Sequence, residues 1–77
     1  MGRQKKPMLV YAFNTTTGAL ALEDACEHGR VIPLPAEVAA GCGLAYCVDL
    51  QYEKEVDAAL VAQQIQLAKK QVVALYQ

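Results

Sequence analysis

The sequence predicts an α+β domain with the element order β-α-β-β-α-β, and three observations carry that reading. Apolar, β-favouring runs occur at residues 8–13, 30–34, 44–50 and 72–76. Two segments between them, 16–28 and 53–67, place apolar groups at helical spacing. Turn residues stand at the boundaries: Asn14 to Gly18, Gly29, Pro33, Pro35, Gly41 and Gly43.

The first run, MLVYAF, follows Pro7 and reads as a buried central strand. Asn14, Thr15, Thr16 and Thr17 supply helix N-cap candidates. Ala19, Leu20, Ala21, Leu22, Ala25 and Cys26 then form an apolar side, with Glu23, Asp24 and Glu27 opposite. Gly29 is expected as the left-handed residue that ends this helix at His28. Pro33 and Pro35 confine the second strand to a sheet edge. In the third strand Leu44, Tyr46, Val48 and Leu50 share one face, with Ala45, Cys47 and Asp49 on the other. Glu53 and Glu55 open the second helix, where acidic groups suit the helix dipole. Its stripe runs through Val56, Ala59, Leu60 and Gln63 and extends to Val61, Ile65 and Ala68. No glycine closes it. Glu53, Glu55 and Asp57 read as a solvated face.

This order is that of the ferredoxin-like, split βαβ arrangement. One four-stranded antiparallel sheet, in spatial order 4-1-3-2, is expected to carry both helices on one face.

A chain of 77 residues is one domain. We expect residues 1–7, with Arg3, Lys5 and Lys6, to be a disordered basic tail, and 8–77 to be the domain. The core is small, and 55% of residues are hydrophobic, so a homo-oligomer is expected. Strand residues are apolar on both faces, so the sheet face away from the helices is expected to be open and available for dimerisation. A net charge of −1 argues against nucleic acid or an anionic membrane as partner. The apolar run after the basic residues is shorter than a signal peptide's, and no run reaches the length of a membrane span, so a cytoplasmic protein is expected. Three cysteines without secretory context do not form a disulfide framework.

The segment Gly41-Cys42-Gly43 holds the residue with most chemical promise. Flanking glycines leave a thiol uncovered and let another backbone approach. The topology places the loop between strands two and three at the end of the sheet where helix one begins. Cys42 is then expected near Thr15 and Thr16, where unpaired N–H groups and the helix dipole favour a thiolate. The same end is expected to receive Lys69 and Lys70 from the end of the second helix. The competing reading of Cys42 is a small residue in a tight loop. Cys26 and Cys47 read as small core residues. A resolving role for Cys47 would need a bent strand or another subunit. His28 is expected at the opposite end, too far for a Cys–His dyad. The spacing fits no metal site, and no cofactor motif is present, so no metal or cofactor is expected.

Phe13-x-Thr15, Ala19-Leu20-Ala21-Leu22-Glu23, Ile32-Pro33-Leu34-Pro35-x-Glu37-Val38 and Cys42-Gly43-Leu44-Ala45 together resemble the small bacterial proteins described as selenium/sulfur carrier-like. The resemblance covers about residues 8–76, and its most specific piece is P-x-P-x-E followed closely by C-G-L-A. It implies that Cys42 carries sulfur or selenium between a donor and an acceptor protein. Two positions depart from the family pattern. Ala36 stands where an arginine is usual, and Ala39-Ala40-Gly41 replaces a serine-rich stretch. Both changes remove polar groups near the thiol.

Two functions are thus expected in competition. One is a sulfur or selenium carrier on Cys42, a carrier or binding protein more than a stand-alone enzyme. The other is a non-catalytic interaction or regulatory module that dimerises through its sheet face. An RNA-recognition domain shares the element order, but strand three lacks its aromatic-basic pattern. A copper chaperone would carry cysteines in the 14–18 loop, which has none.

Overall fold

The computed structural model describes residues 5–35, 38 and 43–76. The elements are β1 (Lys5–Phe13), α1 (Thr16–Ala25), β2 (Arg30–Pro33), β3 (Leu44–Asp49), a 3-10 turn (Leu50–Tyr52), α2 (Glu53–Ala62) and β4 (Leu67–Tyr76). The sheet order is β2-β3-β1-β4, the expected order read from the other edge. Every neighbouring pair is antiparallel, so β1 and β2 run the same way and α1 is the crossover between them. This is the ferredoxin-like arrangement.

Strand alternation splits the core into two layers. Leu9, Tyr11, Phe13, Tyr46 and Val48 face the helices, where Ala19, Leu22 and Cys26 of the first helical segment and Val56 and Leu60 of α2 cover them. Burial of a side chain such as Leu22, which is fully inaccessible, contributes about 1.5–3 kcal/mol. Val10, Ala12, Ala45 and Val73 face the other way and pack with Val38, flanked by Ile32, Leu34 and Leu75. The expectation of an open sheet face therefore fails. Met8, Val10, Ala12, Ala45 and Cys47 are all buried within one chain, and Val38 from the β2–β3 connection lies against this face.

Several boundaries move. β1 begins at Lys5 rather than at residue 8, because the long β4 offers partners as far as Tyr76; Met1 to Gln4 lie outside the described residues. β4 starts at Leu67, five residues before the expected 72, and pairs with β1 along its whole length with a bulge at Ala12/Phe13. Helix α2 stops at Ala62, and Val61 is 79% exposed instead of joining the apolar stripe. Val61 is one residue past buried Leu60, and that rotation turns it off the core-facing side.

Helix α1 ends at Ala25 rather than His28. Cys26 is already extended (φ −129°, ψ 131°). The buried hydroxyl of Tyr46 holds the chain there. It donates to the Cys26 carbonyl at 3.1 Å and accepts from the Gly29 N–H at 2.9 Å. Gly29 is thus required by close packing on β3, and the left-handed cap expected of it is not its role.

Helix α2 closes without glycine. The N–H of Gln64 donates to the Val61 carbonyl (3.2 Å) and that of Ile65 to the Leu60 carbonyl (2.9 Å). Gln64 adopts φ 54°, so a glutamine occupies the left-handed position of a Schellman cap. Ile65 and Leu60 belong to the same apolar layer, which supplies the contact that accompanies this motif. A side chain in this conformation costs about 1 kcal/mol or more, which glycine does not incur. Gln64→Gly is therefore expected to raise the urea midpoint by an equivalent of about 1 kcal/mol; an unchanged or lower midpoint contradicts this account of the cap.

Candidate functional site

The end of the sheet where β1 enters α1 is also where β3 begins. Ala12 pairs with Ala45, so Asn14 and Gly43 each lie two residues beyond that pair. Thr15 caps α1 in extended conformation (φ −138°, ψ 154°), and its Oγ1 accepts from the Gly18 N–H at 3.1 Å. That bond uses only the oxygen, so the Thr15 hydroxyl proton remains a donor. Thr16 is exposed in the first turn. A depression of about 300 Å³ lies between this turn and the end of α2, lined by Asn14, Thr15, Thr17, Gln63 and Gln64 among others.

Gly43 is exposed with φ 90°, and a Cβ added there would meet nothing within 4 Å among the described residues. The glycine is needed for its backbone angle, since space is ample. The candidate thiol Cys42 and its other neighbour Gly41 lie outside the described residues.

Lys69 and Lys70 do stand toward this end, but in β4 instead of at the end of a helix, opposite Ala12 and Tyr11. Their side chains alternate across the strand. Lys70 turns to the helix side, where its Nζ lies 2.6 Å from Glu53 and 2.9 Å from Asp57. Hydrogen bonds to Glu53 and Asp57 hold its pKa above the ordinary lysine value. Two carboxylates thus take up the charge expected for the thiol loop. Lys69 is exposed.

The two described thiols are chemically quiet. Cys26 is 5% exposed and Cys47 2%. Burial pushes both thiols upward; Glu55 adds to this at Cys26, and Arg30 partly opposes it at Cys47. A thiol held protonated is a poor nucleophile.

His28 lies beyond the end of α1. Its ring stacks on Tyr52 at 4.1 Å with 3° between planes, and Nε2 lies 3.1 Å from Glu55. Glu53, Glu55 and Asp57 stay on a solvent-facing side of α2, as the sequence suggested, and pair there with His28 and Lys70. The residue that sequence reasoning missed is Tyr11. Its ring is fully buried in the sheet and its hydroxyl donates to Asp57 at 2.9 Å. Tyr11 and Asp57 are 46 residues apart, and only their chemical complementarity hinted at the pair.

Among the described residues no group of three or more His, Cys, Asp or Glu side chains is arranged to hold a metal ion. No described helix is long and apolar enough to cross a membrane.

The fold and its thiols define a ferredoxin-like α+β domain with two cysteines in the core and a third in the β2–β3 connection. The chain matches the family described as putative Se/S carrier protein-like over residues 8–70, more than half of its length, and it belongs to that family. Comparison with curated proteins and with solved structures gives no match.

Proposed function

We propose that this protein carries sulfur or selenium on Cys42. Membership of the Se/S carrier-like family is the observation that carries the reading. The burial of Cys26 and Cys47 is consistent with it, since a buried, protonated thiol is a poor carrier. In the sulfur case the Cys42 thiolate attacks the outer sulfur of a donor persulfide. The donor S–S bond breaks, the donor leaves as a thiolate, and the new Cys42 persulfide retains the proton of the transferred sulfur. An acceptor thiolate then repeats the step on Cys42. No cofactor is required. Thr15 and Thr16, at the end of the sheet where Gly43 leads into β3, are the candidate donors to the thiolate.

The test is intact mass spectrometry after incubation with a persulfide donor. The wild type is expected to gain the mass of one sulfur atom, and Cys42→Ser is expected to gain none. An adduct that survives in the variant moves the chemistry to another cysteine and defeats the proposal. In the same protein Cys42 is expected to alkylate near neutral pH much faster than Cys26 or Cys47. Equal rates at all three would contradict the buried state of the latter two.

A further inference from the structure

We infer that β4 is a self-association edge, pairing antiparallel with β4 of a second copy of this chain. β4 spans ten residues and bonds to β1 on one side only. Among the described residues no backbone hydrogen bond outside the β1 ladder reaches it. A long edge of unpaired N–H and C=O groups is a template for another strand unless charges, proline or a bulge blunt it.

The opposite edge is blunted. β2 has four residues and ends in Pro33. β4 is blunted only toward its start, by exposed Lys69 and by the bulge opposite Ala12 and Phe13. Its C-terminal part, Gln71 to Tyr76, has neither charge nor proline. Lys70 is drawn back onto α2 by Glu53 and Asp57 and does not guard the edge.

A second β4 fits this edge for three reasons. β2 is too short to satisfy ten residues, so a head-to-tail β2–β4 contact leaves most of the edge unpaired. Val72 is 53% exposed near the middle of β4, and a two-fold axis through it sets the two valines side by side. In that register Lys70 faces Ala74 and Lys69 faces Leu75 of the second copy, so no lysine meets a lysine. The pairing joins two four-stranded sheets into one of eight and extends both apolar layers. It does not depend on the sulfur-carrier reading.

Sedimentation of the full chain under reducing conditions tests the idea. A dimer is expected for the wild type, and a monomer with unchanged circular dichroism for Val72→Lys, which places two charges together on the axis. The register is tested separately by V72C in a Cys42→Ser background. That protein is expected to form an intermolecular disulfide on mild oxidation, whereas V61C in the same background is not. A wild type that stays monomeric at millimolar concentration overturns the proposal. So does a dimer that V72C fails to link.

Discussion

Gly29→Ala is expected to destabilise the domain by about 3 kcal/mol, at the upper end of what overpacking a filled site costs. A Cβ at this position would lie 2.4 Å from the Cys47 carbonyl oxygen and 2.6 and 2.7 Å from two ring carbons of Tyr46. None of these can give way easily. Cys47 is held in the middle of the sheet, paired with both Arg30 and Val10, and the Tyr46 ring is fully buried. Displacing the ring also strains the two hydrogen bonds its hydroxyl makes to Gly29 and Cys26, and leaving such groups unpaired costs about 1–3 kcal/mol. Gly18→Ala is the internal control. Its Cβ would find neighbours at 3.5–3.6 Å, ordinary contact distances, within helix α1. There alanine is expected to stabilise by up to about 1 kcal/mol. Urea unfolding of both variants reads the difference directly. Equal and small effects would show that the α1–β2 turn does not pack on β3 as described.

Stability is also expected to fall steeply in alkali. The Tyr11 phenol is held far above its ordinary value of 10.0, first by burial and then by its hydrogen bond to the Asp57 carboxylate. Tyr46 is likewise raised by burial. In the unfolded chain both phenols lose their protons near pH 10, while in the folded chain they keep them. Above that pH the folded state binds more protons, so the free energy of unfolding decreases as pH rises. The contribution is complete below pH 10 and is lost progressively above it. The ceiling is about 1.4 kcal/mol per pH unit for each tyrosine, and solvent screening at the exposed Asp57 end keeps Tyr11 below it. Lys70, whose pKa is raised by Glu53 and Asp57, acts in the same direction. Tyr11→Phe is expected to flatten the alkaline limb. At neutral pH it costs about 1 kcal/mol for the lost hydrogen bond, because Asp57 keeps Lys70 as partner. Identical slopes for wild type and variant between about pH 9 and 11 would rule out Tyr11 as the titrating group.

Tyr46 joins the α1–β2 turn to β3, and Tyr11 joins β1 to α2 through Asp57. Each is a buried aromatic with one polar end, so it fills the helix-side layer and also positions a connecting element. The end of the domain where β3 begins is built from local caps instead: Thr15 at the start of α1 and Gln64 after α2.

Element order, sheet order and the apolar character of both sheet faces were legible in the sequence because they depend on periodicity. Apolar runs in residues 8–13 and 44–49, helical spacing at Ala19, Leu22 and Cys26, and prolines at the end of the second strand all act within a few residues. The candidate thiol was legible for the same reason, since Gly41, Cys42 and Gly43 are adjacent. Helix ends were not legible, because distant groups set them. A hydroxyl 20 residues away holds the Cys26 carbonyl past the end of α1, and α2 closes on a left-handed glutamine that composition does not single out. The length of β4 was hidden because Lys69 and Lys70 read as the polar end of the second helix until β1 supplies their backbone partners.

By itself, then, the sequence determined a ferredoxin-like domain with its cysteine between glycines in the β2–β3 connection. Only the tertiary structure decided that Val38 lies on the second sheet face, that Lys70 is bound by Glu53 and Asp57, and that Gly29 is there for want of space. Local patterns report which face of an element is apolar; what meets that face depends on contacts between residues far apart in the chain.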